Sequence, residues 1–244
     1  MDPFAFPPLA ALLDTAYRGM LALSDLLLPL TGAAAAAAAV VLVTLLVRSA
    51  LIPVGVSQAK TEQSRARLAP RLRELQRRYK KNPERLQRET LELYRREGAS
   101  PFAGLVPLLV QGAVVGLLYT LFLRPEIAGH ENALLSHDLF GAPLGASLVA
   151  AVNGGIDVST AVVWATVLAV ILAVAEVSRR VFRPVATEEG PLSSPAAMRV
   201  LNALHYLTAV FAVFVPLAAA LYLTVTVSWT LIQRILLRRR YPVR

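Results

Sequence analysis

The chain has 244 residues, of which 56% are hydrophobic and only 17% charged, against ~25% charged in an ordinary soluble domain. Its 25 Lys and Arg outnumber 16 Asp and Glu, for a net charge of +9, and the mean hydropathy is +0.55. An apolar yet basic chain of this kind excludes an ordinary soluble enzyme and a disordered protein, and reads as an integral membrane protein with basic loops. The chain has no cysteine, which removes disulfides, thiolate metal sites and a cysteine-borne lipid anchor. His130, His137 and His205 are too scattered for a metal site, and no cofactor is expected.

Taken in chain order, residues 1–28 lack the basic start of a secretory signal and place Leu9, Leu12, Leu13, Ala16, Met20, Leu23 and Leu27 at helical spacing. They read as an extracytoplasmic amphipathic helix lying in the membrane interface, the alternative being an extension of the first crossing. Charges are costly in the hydrocarbon core, so the crossings are sought between them. Charge-free runs span 22 residues between Asp25 and Arg48, 26 between Glu97 and Arg124, 18 between Asp157 and Glu176, and 34 between Arg199 and Arg234. As one helix the last run would be about 51 Å long at ~1.5 Å per residue, too long for a core of roughly 30 Å. Pro216 near its middle divides it into two crossings.

The expected crossings are therefore 29–52, 101–123, 157–177, 199–215 and 217–237. Residues 124–156 are read as an extracytoplasmic loop with, at most, a short interfacial helix. Its apolar half carries Gly141, Pro143, Gly145, Asn153, Gly154 and Gly155, which are poor helix formers. Segment 53–100, loop 178–198 with Arg199, and the tail from Arg234 hold 22 of the 25 basic residues. Five crossings put all of them on one side, the cytoplasm by the positive-inside rule. This sets the N-terminus outside and the C-terminal tail, 238–244, inside a plasma or inner membrane. The expected fold is all-α: five transmembrane helices around a polar groove, with a cytoplasmic antiparallel helical hairpin.

That hairpin is segment 53–100, with 13 Lys and Arg against 6 Glu. Leu68, Leu72, Leu75 and Tyr79 step 4, 3, 4, and Leu86, Thr90 and Leu93 step 4, 3, which predicts two helices facing each other along short seams. Asn82-Pro83 marks the start of the second arm and Gly98 its stop. Pro70 is expected to break or kink the first arm near Ala69. The basic outer faces suit either a solvated loop attracted to anionic lipid or a docking arm for an acidic partner, a ribosome or a nascent chain. No sequence-reading nucleic-acid module is present, so any RNA contact would be electrostatic.

Arg48 requires an explanation of its own, because it closes an apolar helix about one turn before Ile52. It either snorkels to the head groups or stands in an aqueous cavity among helices. Thr44 shares its face one turn earlier. Gln111, Tyr119, Thr166, Asn202, His205, Thr208, Tyr222, Thr224, Ser228 and Gln233 add polar groups inside the crossings, many for a simple anchor bundle. Glu176 either pairs with Arg48 or belongs to its neighbours Arg179 and Arg180.

Together these segments resemble the YidC-type membrane protein insertases, with relatives in mitochondria and chloroplasts. Thr44-Leu45-Leu46-Val47-Arg48-Ser49-Ala50-Leu51-Ile52-Pro53 is similar to the family's Thr, Arg and Pro pattern at the end of its first core helix. Pro70, Leu75 to Lys80 and Leu93 to Gly98 resemble its cytoplasmic hairpin. Ser100-Pro101, Gly104-Leu105 and Pro107 to Gln111 resemble its Asn-Pro, Gly-Cys and Pro-x-Leu-x-Gln sequence. His137-Asp138-Leu139, Pro216 and Leu221-Tyr222 follow in the family's order. Ser100 replaces the family's Asn, Leu105 its Cys, and Leu223 an aromatic residue.

The resemblance implies a positively charged intramembrane groove that inserts and helps fold nascent membrane proteins, with Arg48, Thr44, Gln111 and Tyr222 as groove positions. It implies no catalytic residue and no nucleotide hydrolysis. The partners would be nascent membrane-protein clients, the lipid bilayer, and a ribosome or Sec translocon reached through the basic hairpin. Two other readings stay open: a specialised membrane-protein assembly scaffold, and an anion transporter using Arg48 as its binding charge. The inverted symmetry common in transporters is absent from the sequence.

Overall fold

The computed structural model describes residues 7–99, 105–127, 129–182, 199 and 203–240. The chain divides into two compact units, residues 1–48 with 117–231 and residues 49–116 with 232–244.

The first unit opens with α1 (Pro7–Thr31), which buries Leu13, Tyr17, Met20 and Ser24 on one face and leaves Leu12, Leu26, Leu28 and Leu30 exposed. It runs through Pro29 and stops only where Gly32 adopts φ +54, a left-handed conformation that ends helices and that glycine tolerates best. A 3-10 turn over Gly32–Ala34 then leads into α2 (Ala35–Ala50). The helix break thus lies at Gly32, inside the expected crossing 29–52. Apolar spacing reports which face a helix buries, whereas the backbone conformation of a single glycine decides where it ends. Helix α2 buries Ala35, Ala36, Ala37, Ala39, Val40, Thr44 and Arg48, a face of small residues that lets neighbours approach closely.

Residues 124–156 hold more than a loop and one short helix. Two small antiparallel hairpins form, β1 (Glu126–Ile127) with β2 (His130–Glu131) and β3 (Asp138–Leu139) with β4 (Ala142–Pro143). A 3-10 turn over Ala133–Ser136 separates them, and the six-residue α6 (Leu148–Asn153) follows. Asn132 organises this region. Its side-chain amide donates to the carbonyls of Leu121 and Arg124, each at 2.9 Å, and its side-chain oxygen accepts from Leu134 N at 3.2 Å. The Tyr17 hydroxyl donates to Glu131 O at 3.2 Å and accepts from Ala133 N at 2.8 Å, which ties α1 to the same loop.

Helix α7 (Val158–Val181) is capped by Asp157, whose carboxylate accepts from Ser159 N at 3.1 Å and Thr160 N at 3.3 Å. It buries a stripe of Thr160, Val163, Trp164, Val167, Ile171 and Ala175, while Val162, Val170 and Leu172 stay exposed. Helix α8 (Leu207–Phe214) and α9 (Leu217–Arg240) are separated by Val215-Pro216. That turn is fastened to the loop, because Leu217 N and Ala218 N donate to Ala146 O and Leu144 O at 3.0 and 2.9 Å.

The second unit contains α3 (Ile52–Arg78), α4 (Pro83–Arg96), the first part of α5 (Leu105–Leu123) and the last residues of α9. Pro70 lies inside α3 and does not end it. An interior proline costs about 3 kcal/mol, which one position in a helix of 27 residues can absorb. Arg67 and Arg71 pair with Glu97, just past the end of α4, so the two arms run in opposite directions. Asn82 caps α4 by accepting from Arg85 N at 3.1 Å. The seam residues Leu68, Leu72, Leu75, Tyr79, Leu86, Thr90 and Leu93 are buried or half-buried.

Among the described residues three stretches are long and apolar enough to cross a membrane: 10–50, 158–181 and 217–240. Residues 109–123 form a shorter apolar helix. The expected crossings 101–123 and 199–215 include residues outside those described, as do most of the 178–198 loop and the end of the tail. The molecule is predominantly helical, with exposed apolar side chains along its long helices.

Candidate functional site: a buried arginine and a polar file

Arg48 is only 7% exposed. It ends a row on α2 in which Val40, Thr44 and Arg48 follow one another at intervals of four, so all three point the same way. Thr44 is fully buried, and its hydroxyl is spent on its own helix, donating to Val40 O at 2.6 Å. Facing this row in the same unit is Tyr222 of α9, 1% exposed, its ring 5.7 Å from that of Phe122. The Tyr222 hydroxyl sits beside the Arg48 guanidinium and the Thr226 hydroxyl, yet neither hydroxyl completes a well-formed hydrogen bond.

The polar row continues along α9. Tyr222, Thr226 and Trp229 step four and then three residues, which keeps them on one helix face. The Tyr222 and Thr226 oxygens and the Trp229 indole nitrogen are all buried, and none makes a hydrogen bond of ordinary geometry. Buried polar groups are nearly always satisfied, and one left unmet costs ~1–3 kcal/mol. A file of them beside a guanidinium is a place where water or a polar chain segment gains hydrogen bonds on arrival.

Sequence reasoning singled out Arg48, Thr44 and Tyr222 and did not single out Thr226 and Trp229, which share a helix face with Tyr222. The signal was available in their spacing from Tyr222. Thr224 and Ser228, which it did single out, are satisfied within their own helix by Ala220 O at 2.8 Å and Thr224 O at 2.7 Å. Glu176 is engaged elsewhere. It accepts from Arg179 at 2.7 and 2.9 Å, from Arg180 at 2.6 Å and from the Tyr206 hydroxyl at 2.5 Å. Its own neighbours, together with Tyr206, hold it, and the alternative of a pair with Arg48 is set aside.

Gln111 belongs to the second unit. Its side-chain oxygen accepts from Gln58 Nε2 at 3.0 Å. In that unit Gln233 packs so closely on α3 that a Cβ at Gly55 would lie 2.1 Å from its Nε2, so glycine makes room for the amide. The cleft between the arms of α3 and α4 is lined by Arg71, Arg78 and Arg96 and by Glu74, Glu89 and Glu92. Its charges balance. The net positive charge of the hairpin lies outside the cleft, and at the tip Tyr79 is flanked by the guanidinium groups of Arg85 at 5.2 Å and of the cleft residue Arg78 at 5.8 Å.

Known proteins match this chain. The family model described as "60Kd inner membrane protein" matches residues 28–244. The membrane protein insertase YidC of Clostridium perfringens is 38% identical over 81 residues, 33% of this chain and 34% of the relative. That of Oceanobacillus iheyensis is 37% identical over 95 residues, 37% of this chain and 38% of the relative. That of Helicobacter pylori is 36% identical over 99 residues, 40% of this chain and 18% of the relative. The matched stretches thus span well under half of each relative's length.

Proposed function

The chain belongs to the 60Kd inner membrane protein family, that of the YidC insertases, and from this premise we propose that it is a membrane protein insertase and chaperone working through a positively charged intramembrane groove. The observation that carries the proposal is the buried Arg48 beside the unsatisfied Tyr222 and Thr226 hydroxyls. Thr44, Arg48 and Tyr222, with Thr226 and Trp229, form the groove surface. Gln111, bonded to Gln58, is a further polar position for clients.

The mechanism follows from solvation. The polar or acidic flank of a nascent membrane segment loses water as it moves into hydrocarbon, and the groove returns part of what is lost. A carboxylate ~4 Å from the Arg48 guanidinium gains about 4 kcal/mol at an effective dielectric constant near 20, comparable with the several-kcal/mol cost of taking such an ion out of water. The client's apolar helix then leaves for lipid, driven by roughly 25 cal/mol for each Å² buried. No bond is made or broken, so the protein needs no catalytic residue and no nucleotide. In the proposed arrangement five helices cross the bilayer, with the N-terminus outside and the basic segments in the cytoplasm. There the hairpin would meet a ribosome or a Sec translocon.

The test is reconstitution into liposomes with a single-spanning client bearing an acidic translocated tail, scored by protease protection of that tail. Wild type protects the tail above empty liposomes. Arg48→Ala lowers protection by about tenfold or more, the equivalent of losing ~1.4 kcal/mol, and Arg48→Lys recovers much of it because a positive charge remains. No protection above empty liposomes across several such clients would overturn the insertase reading in favour of a specialised scaffold. Equal protection by all three proteins would remove Arg48 from the mechanism.

A further inference from the structure

The turn between β3 and β4 holds a residue in a conformation it does not favour. Register pairs Leu139 with Ala142, leaving Phe140-Gly141 as a two-residue loop. Phe140 has φ 52 and Gly141 φ 85. Positive φ at both positions is the tight hairpin turn that Asn-Gly or Gly-Gly occupies without strain. A bulky aromatic residue at the first position is an outlier, and such strain persists only where the surroundings over-determine it. They do so here. Ala142 and Leu144 just beyond the turn are fully buried, and Leu144 O and Ala146 O are hydrogen-bonded to the start of α9.

The ring obtains no packing in return, since Phe140 is 72% exposed. Its position gives the reason. The turn rests on the beginning of α7. Gly141 O accepts from the Thr160 hydroxyl at 3.4 Å, and a Cβ at Gly141 would stand 3.0 Å from Ser159 Oγ. Val158, the first residue of α7, is 82% exposed. The exposed apolar surface then continues down the helix through Val162 and Val170. Phe140 therefore stands level with the point where an apolar helix meets its charged cap, Asp157.

We propose that Phe140 is a bilayer anchor, an aromatic side chain held by a strained turn at the boundary between head groups and acyl chains, next to the start of α7. The occupant of this surface is lipid, because the turn meets α7 through Gly141 at Ser159 and Thr160, beside the exposed apolar Val158, Val162 and Val170, and an exposed Phe suits the head-group and acyl-chain boundary. The strain serves to hold the ring in a fixed outward position that a flexible loop would not maintain. The inference rests on the reading of α7 as a crossing.

The chain has no cysteine, so a single introduced thiol carries a nitroxide at a defined place. Spin labels at Phe140→Cys, Val158→Cys, Val170→Cys and Glu131→Cys in liposomes are compared for collisions with oxygen, which concentrates in lipid, and with a water-soluble nickel chelate. Oxygen dominance at 140, 158 and 170, with nickel dominance at 131, is the expected result. In a Phe140→Trp variant, which keeps an aromatic ring, the added fluorescence is lost to lipids brominated near the acyl-chain head and not to a soluble quencher. Oxygen dominance at 170 with nickel dominance at 140 overturns the anchor and leaves the crossing intact. Nickel dominance at 170 overturns both. Shielding of 140 from both reagents assigns the ring to a protein partner and overturns the lipid proposal.

Discussion

At the scale of single residues, burial and hydrogen bonding set Arg48 apart from the residues that hold the fold. Arg48 carries a full charge into a face otherwise made of alanine, valine and threonine, an arrangement that a scaffold selected only for stability would avoid, because apolar residues of similar volume replace buried charges at little cost. Asn132 is the contrasting case. It is 4% exposed, and its three hydrogen bonds close the end of α5 and start the turn after it. At ~1 kcal/mol net for each bond, Asn132→Leu is expected to cost about 3 kcal/mol. Asn132→Asp is expected to cost at least as much, since a carboxylate cannot donate and would face the carbonyls of Leu121 and Arg124. Thermal unfolding in detergent checks this, and a wild-type midpoint for the Asp variant would show that these bonds do not hold the loop. Arg48 was legible in the sequence because a charge interrupting an apolar run is conspicuous. Asn132 was not, because its partners are backbone groups up to 11 residues away, which no side-chain pattern reveals. Thr226 and Trp229 were not singled out because Thr224 and Ser228 look equally polar in one dimension, and only the packing shows which hydroxyls are already satisfied.

At the scale of elements, caps and breaks decide where helices begin and end. Asp157 illustrates an electrostatic cap outside the apolar span of α7. Hydrogen bonds from the Ser159 side chain and from the Thr160 backbone pull its carboxyl from an ordinary 3.8 down to about 2. A carboxyl depressed in the folded state stabilises it above the unfolded pKa, and that contribution is lost as pH falls through the folded value. The cap is therefore complete above pH ~4 and fades towards pH 2. The Asp157→Asn protein, which keeps an acceptor but does not titrate, is expected to lose less thermal stability than wild type between pH 4 and 2. Parallel slopes for the two proteins would exclude the cap as the titrating group. Among the helix breaks, Asn82-Pro83 was legible because proline after an asparagine cap suits a helix start. Of the break or kink expected at Pro70, the break does not form, because the same residue inside a long helix is a cost and not a prohibition. Gly32 was hidden at the head of seven alanines, a composition with no internal mark of a turn. The hairpins within 124–156 escaped notice for a related reason: strands of two residues are too short for alternation to register.

At the scale of the whole molecule, charge and apolar length are read together, and they give the arrangement in the membrane its firmest physical basis. Helix α7 alone spans about 36 Å at ~1.5 Å per residue, enough for the hydrocarbon core with some tilt. Family membership and the exposed apolar faces of the long helices make this a multi-pass membrane protein. Orientation then depends on the basic segments, since short loops rich in Lys and Arg resist translocation. Lys81 at the turn between α3 and α4, Arg180 at the end of α7 and Arg239 at the end of α9 mark the three basic segments, whereas Glu131 lies in the loop between α5 and α6. Single cysteines at the first three positions are expected to react with an impermeant maleimide only when the cytoplasmic side is open, as in inverted vesicles, and a cysteine at 131 only from the opposite side. The proposed odd number of crossings makes this pattern discriminating. If residues 139–156 crossed the bilayer as well, Arg180 and Arg239 would both label from the side of Glu131, because each added crossing reverses everything after it. Labelling of Lys81 and Arg180 from opposite sides would therefore overturn the five-crossing arrangement. It would also put the basic hairpin and the Glu176 cluster on opposite sides of the bilayer.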